Sequence, residues 1–206
     1  MNHIASGSVA LALTDIMQAE INLAVWERQA NPAIQKEIAS LSKSNDWRDL
    51  RLAFDAKDIP AAVQNHFQDN APALQEDVLL LTDMFQCLFD ADSIAIRLVM
   101  LNRAMCPRFH TDKIPCRLVS TYHGAGTEWL EEASIERTYL GRGAMGKPDH
   151  SSGLIKAGAP VQQLAPWSVA LLKGDAWPEN EGRGIVHRSP AVLEGDARVL
   201  ITLDFA

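Results

Sequence analysis

The strongest constraint on this chain is a single change of hydrophobic period near Ser93. Before it, apolar residues recur at helical spacing. Leu74, Val78, Leu81, Phe85 and Leu88 stand alternately four and three residues apart, which makes one stripe along a helix. Asn31-Pro32 reads as an N-cap followed by proline at the first helical position, and Ile34, Ile38 and Leu41 then continue at helical spacing. After the change, Ile94, Ile96, Leu98 and Met100 alternate with Ala95, Arg97, Val99 and Leu101, the two-residue period of a strand. Further strand-like pieces run over 116–122, 127–130, 168–172, 184–187 and 198–205, punctuated by glycines and prolines.

Many short strands without intervening helices imply a sandwich, jelly roll or barrel. The expected organisation is therefore α+β. A helical region, residues 1–92, covers one face of a sheet built by residues 93–206. Residues 141–153, with four glycines, a proline and two serines, read as a loop.

With 206 residues the chain can bury one substantial core with a helical annex. Its net charge of −7 repels phosphate backbones, so nucleic acid is not an expected partner. Three cysteines, an odd and low count, do not suggest a disulfide framework. The opening Met1-Asn2-His3-Ile4 lacks a basic signal-peptide start, and no apolar run approaches the roughly 20 residues that span a bilayer. A cytoplasmic protein without membrane contact is expected. Its amphipathic helical stripes could serve a homodimer as readily as a core.

Chemistry concentrates in the second half. His110-Thr111-Asp112 sets two ligand-type side chains two residues apart, and on an extended segment both point to the same face. His187 lies at the end of the strand-like 184–187. Two histidines and one carboxylate make the facial triad of non-haem Fe(II) oxygenases, which leaves metal positions open. Taken singly, His-x-Asp is as well read as a solvated turn, and His187 as a satisfied structural histidine. Arg198 follows His187 by eleven positions inside an apolar stretch, where a buried guanidinium needs an anionic partner. Its partner could equally be Glu194, Asp196 or Asp204.

Cys106 and Cys116 flank the His-x-Asp pair. A thiolate ligand would suit zinc rather than iron, and a four-ligand zinc site would be closed to turnover. Free cysteine is also simply a small buried hydrophobe. His123 and His150 are further candidate ligands, and Trp129, Trp167 and Trp177 suggest a walled cavity. Lys173-Gly174-Asp175 reads as a strand-ending turn. No nucleophile elbow, phosphate-binding glycine loop or Cys-x-x-Cys pair is present.

The order of residues also carries a resemblance. His110-x-Asp112 is followed by Tyr122-His123-Gly124-x-Gly126-Thr127-Glu128-Trp129. Pro166 then precedes an apolar strand, and the pattern closes with His187-Arg188-Ser189-Pro190-x-Val192 and Gly195-x-x-Arg198. This resembles the 2-oxoglutarate/Fe(II)-dependent dioxygenase superfamily over residues 94–206, nearest in pattern to its prolyl-hydroxylase-like branch. More narrowly, the sequence is similar to the bacterial family called domain of unknown function 1826.

The resemblance implies a double-stranded β-helix, a jelly roll of cupin type. It implies Fe(II) on His110, Asp112 and His187, with 2-oxoglutarate gripped by Arg198. Turnover would oxidise a small-molecule or protein substrate and release succinate. Where the superfamily often carries a hydroxyl residue two positions after the arginine, this chain has Leu200. Tyr122 is then a replacement donor to the co-substrate, or else a half-buried strand tyrosine. The rival readings are a zinc-binding or metal-homeostasis protein without turnover and a non-catalytic interaction module.

Overall fold

The computed structural model describes residues 4–206; Met1-Asn2-His3 lie outside the described residues. Its elements in chain order are β1 (Ile4–Gly7), β2 (Leu23–Trp26), α1 (Pro32–Lys43), β3 (Leu50–Asp55), α2 (Ile59–Phe67), α3 (Pro72–Phe89), β4 (Ser93–Leu101), β5 (Cys116–His123), β6 (Glu128–Leu130), β7 (Gln162–Gln163), β8 (Val169–Lys173), β9 (Val186–Arg188) and β10 (Arg198–Phe205). Seven strands form one sheet in the order β1-β2-β8-β5-β10-β4-β3, and three form a second, β7-β6-β9. In the large sheet β1 and β2 run parallel, and every other neighbouring pair is antiparallel.

The helices begin where capping chemistry dictates. Asn31 accepts from the backbone N–H of Ala33 at 2.9 Å, and Pro32 opens α1. Helix α3 opens with Pro72, and the Glu37 carboxylate of α1 accepts from the backbone N–H groups of Ala73 (3.0 Å) and Leu74 (2.8 Å). One side chain thus satisfies two orphan donors of α3 and ties the two helices together. The stripe Leu74, Val78, Leu81 and Phe85 is fully buried against the large sheet, together with Ile94, Ile96, Leu118, Ile201 and Leu203. The opposite face of that sheet presents Val25, Val99, Val119, Leu172 and Leu200, which pack with Trp129 of β6 and with Leu164 and Ile185, the residues that flank β7 and β9.

The reading of residues 1–92 as purely helical needs correction, because this region also supplies β1, β2 and β3 of the large sheet. Strand β2 carries no two-residue signal: Leu23, Ala24 and Val25 are all buried, since it is covered on both faces. The 141–153 segment is a run of short helical turns, Gly141–Ala144 and Asp149–Ser152. Among the described residues no helix is long and apolar enough to cross a membrane.

Phe85 is 1% exposed and packs its ring against Phe89 and Phe205 at 4.8 and 5.1 Å. Phe85→Ala should cost about 3–5 kcal/mol, because helix and sheet cannot both collapse into the void; a chemical denaturation midpoint measures it.

Candidate metal centre

His110 and His187 face each other across a single antiparallel bridge. Each backbone N–H donates to the other's carbonyl at 3.0 Å, so the segment before β5 is pinned to β9. The ring centroids are 4.6 Å apart. Each Nδ1 lies at hydrogen-bond distance from a backbone carbonyl, Arg108 for His110 (2.9 Å) and Ile185 for His187 (3.1 Å). With Nδ1–H donating there, each Nε2 keeps its lone pair, as a metal-ligating imidazole requires. Both Nε2 atoms turn toward Asp112: His110 lies 3.7 Å from Oδ1 and His187 3.5 Å from Oδ2. One ligand atom from each of the three residues lies within 4.8 Å of the others. This donor set, two imidazoles and one carboxylate, fits a divalent metal with open positions. Burial pushes the His187 pKa well down, against the opposing pull of Asp112, so the ring is neutral at neutral pH.

Asp112 is itself held. Arg117 Nη1 donates to its Oδ2 at 2.8 Å, while Nε and Nη2 of the same guanidinium donate to the two oxygens of Asp204 at 2.7 and 2.9 Å. The backbone beneath it is held by the turn after β8. The Asp175 N–H donates to the Asp112 carbonyl at 2.8 Å, and the Asp175 carboxylate accepts from Thr111 Oγ1, Lys113 Nζ and the Gly184 N–H. A Cβ on Gly174 would sit 2.1 Å from the Ile114 carbonyl oxygen, so only glycine allows this approach. Lys173-Gly174-Asp175 therefore does more than end a strand. It buttresses both the His-x-Asp segment and the entry to β9.

Arg198 opens β10 and is 2% exposed. It lines one narrow cavity with His110, His187, Thr127 and Thr202. Its Nε donates to the Ala125 carbonyl (2.8 Å), and its Nη2 to Thr121 Oγ1 (3.1 Å) and Thr127 Oγ1 (3.0 Å). Among the described residues no carboxylate forms an ion pair with it; Asp204 is occupied by Arg117, and Glu128 by Arg188. Burial pushes the Arg198 pKa down to about 10, partly opposed by Glu128.

Tyr122 is a correction. It sits on the other face of β5, buried in the helical core, and its hydroxyl donates to Asp77 at 2.6 Å. Asp77 is also forked by Arg28 at 2.5 and 2.9 Å. Alternation explains it: Cys116, Leu118 and Tyr122 face the helices, whereas Arg117 and Val119 face the cavity. The β5 hydroxyl that reaches Arg198 is that of Thr121, which lies directly opposite Leu200 across β5 and β10. The sequence reading assigns no role in the site to Thr121, Thr127, Arg117 or Asp175. Two odd-numbered positions before Tyr122 on a strand with buried even positions were the available signal for Thr121 and Arg117.

The other candidates scatter. Cys106 lines the cavity mouth and is exposed, but it is not among the clustered ligand atoms. Cys116 is buried in the helical core, where desolvation pushes its thiol pKa far up. His123 lines a groove with Ile38 and Lys43 of α1, and His150 is exposed. Trp129 pairs with His187 across β6 and β9, while Trp167 and Trp177 pack on the helical side.

A family model described as "Protein of unknown function (DUF1826)" matches residues 7–204, and the chain belongs to that family. No curated protein matches the sequence. Among solved structures, a rice dioxygenase for auxin oxidation superposes with a TM-score of 0.53 at 16% identity, covering 98% of this chain and 82% of that one. A Pseudomonas putida prolyl-4-hydroxylase matches with a TM-score of 0.45 at 13% identity, covering 95% of this chain and 97% of that one. A full-length Neurospora crassa protein, solved in complex with alpha-KG, matches with a TM-score of 0.45 at 11% identity, covering 89% of this chain and 73% of that one. The rice enzyme establishes likeness of fold.

Removing the Tyr122 hydroxyl tests its reassignment. Tyr122→Phe should lower stability by about 1.5–3 kcal/mol, the worth of a hydrogen bond to a charged group, because Asp77 loses a buried donor. Metal content measured on the same preparation should not change.

Proposed function

We propose that this member of the DUF1826 family is a non-haem Fe(II), 2-oxoglutarate-dependent oxygenase built on a double-stranded β-helix. The observation that carries the reading is one cavity lined by His110 and His187, whose ligand atoms cluster with that of Asp112, and by a buried Arg198 that forms no ion pair with a carboxylate among the described residues. The fold likeness to a dioxygenase agrees with it. When bound, iron would supply the redox chemistry that couples decarboxylation of 2-oxoglutarate by dioxygen to oxidation of a substrate.

The chain's own residues do the rest. The two imidazoles, with Nδ1 anchored to backbone carbonyls, present Nε2 to the metal without rotating. Arg198 offers a guanidinium whose present partners are a carbonyl and two hydroxyls, all weaker than a carboxylate. An incoming dicarboxylate would therefore meet a charge already desolvated and oriented. Val119, Leu172 and Leu200 exclude water from the inner wall. A closed zinc site with Cys106 as fourth ligand has less support, because that thiol stands outside the cluster.

The native protein, purified without chelators, should hold about one equivalent of metal, lost in Asp112→Ala or His187→Ala with the fold retained. A double variant that keeps its metal would sink the triad. Given iron and dioxygen, the protein should release succinate from 2-oxoglutarate. Arg198→Gln should weaken 2-oxoglutarate binding about a hundredfold, the worth of a charge-assisted fork at about 1.4 kcal/mol per factor of ten, with metal content unchanged.

A further inference from the structure

We infer that Arg117 and Asp204 form a charge-neutral clamp on Asp112, which presents one carboxylate oxygen to the metal and withholds the other. The inference rests on the metal site proposed above. Arg117 is a positioning residue here, and Asp204 acts through it.

The geometry is set by strand register. Arg117 on β5 and Asp204 on β10 are directly paired, one step beyond the Val119 and Thr202 pair that lines the cavity. The fork between them uses Nε and Nη2, which leaves Nη1 to reach Asp112 Oδ2 at 2.8 Å. The three side chains are only 25%, 20% and 13% exposed, so solvent screens their charges weakly.

Charge arithmetic then gives Asp204 a role that packing does not. A divalent ion on two neutral imidazoles and one carboxylate leaves one net positive charge at the centre. Arg117 alone would add a second positive charge in contact with a ligand and repel the ion. Asp204 cancels it. The guanidinium can then hold Asp112 without drawing the carboxylate away from the metal. With one lone pair of Oδ2 held by Nη1, the clamp favours contact of Asp112 with the ion through the other oxygen, which preserves open positions that a two-oxygen grip would reduce.

A strand staple with no influence on the metal is the competing account, and a charge cycle separates the two. Co(II) affinity of the full chain is measured by competition with a chromophoric chelator, and apo melting confirms that each variant folds. Asp204→Asn should weaken Co(II) binding about 10- to 100-fold, the usual effect of losing an outer-shell partner. Adding Arg117→Gln to it should recover most of that loss, because the uncompensated charge is gone. Single Arg117→Gln should weaken the visible Co(II) bands as Asp112 closes on the ion with both oxygens. Unchanged affinity in Asp204→Asn, or a double variant as weak as the single, overturns the clamp. If Asp204→Asn does not fold, the Arg117→Gln spectrum decides, and an unchanged spectrum overturns it. A natural chain that binds no Co(II), or an Asp112→Ala variant that binds it equally well, would remove the metal site itself and the clamp with it.

Discussion

The pairing of β5 with β10 is the constraint on which the rest depends. Strand alternation assigns Val199, Ile201 and Leu203 to the helical core and Arg198, Leu200 and Thr202 to the cavity. The same rule divides β5 between Leu118 and Tyr122 on one side and Arg117 and Val119 on the other. A slip of one residue would exchange the two sets, driving a guanidinium into the apolar side and a leucine into the site. The pair also carries a register shift between Val199 and Leu200, which sets Val199 opposite His123 and Leu200 opposite Thr121. Such a shift re-aims the chain at the strand end. It accompanies the turn of His123 toward α1 and of Thr121 toward Arg198.

The half-buried Arg28 and the buried Arg198 show opposite solutions to one problem. Arg28 is neutralised inside the protein by the Asp77 fork, with the Tyr122 hydroxyl on the same carboxylate. Its pKa is raised, since those partners outweigh its desolvation. Among the described residues Arg198 donates hydrogen bonds to neutral groups alone, and burial lowers its pKa against the weaker pull of Glu128. A buried charge in that state costs stability that a paired one does not. An anion bound there would raise the stability of the fold by mass action, whereas the Arg28 cluster is already neutralised from within.

The segment that carries His110 and Asp112 lies outside the regular strands, yet it is not free to drift. Its backbone is bound to β9 at His110 and to the β8 turn at Asp112. The Asp175 carboxylate reaches both that segment and Gly184, just before β9. Precision in the candidate site therefore comes from its supports rather than from the secondary structure of the clustered residues.

The sequence by itself determined the helical stripe of α3, the alternating strand β4 and most of the later strands, because hydrophobic period is a local property. The two-residue spacing of His110 and Asp112 was equally legible, since it needs only an extended backbone. Strands β1 and β2 were not: four-residue pieces, one of them covered on both faces, leave no period to read. Which face each strand shows to the cavity was decided by tertiary structure alone. Tyr122 and Thr121 are neighbours in sequence and equally able to donate a hydrogen bond. Only the packing of α3 against the large sheet sends one hydroxyl to Asp77 and the other to Arg198. The partners Arg117 and Asp204 lie 87 residues apart. Their meeting depends on β-sheet register, which no local pattern in either segment encodes.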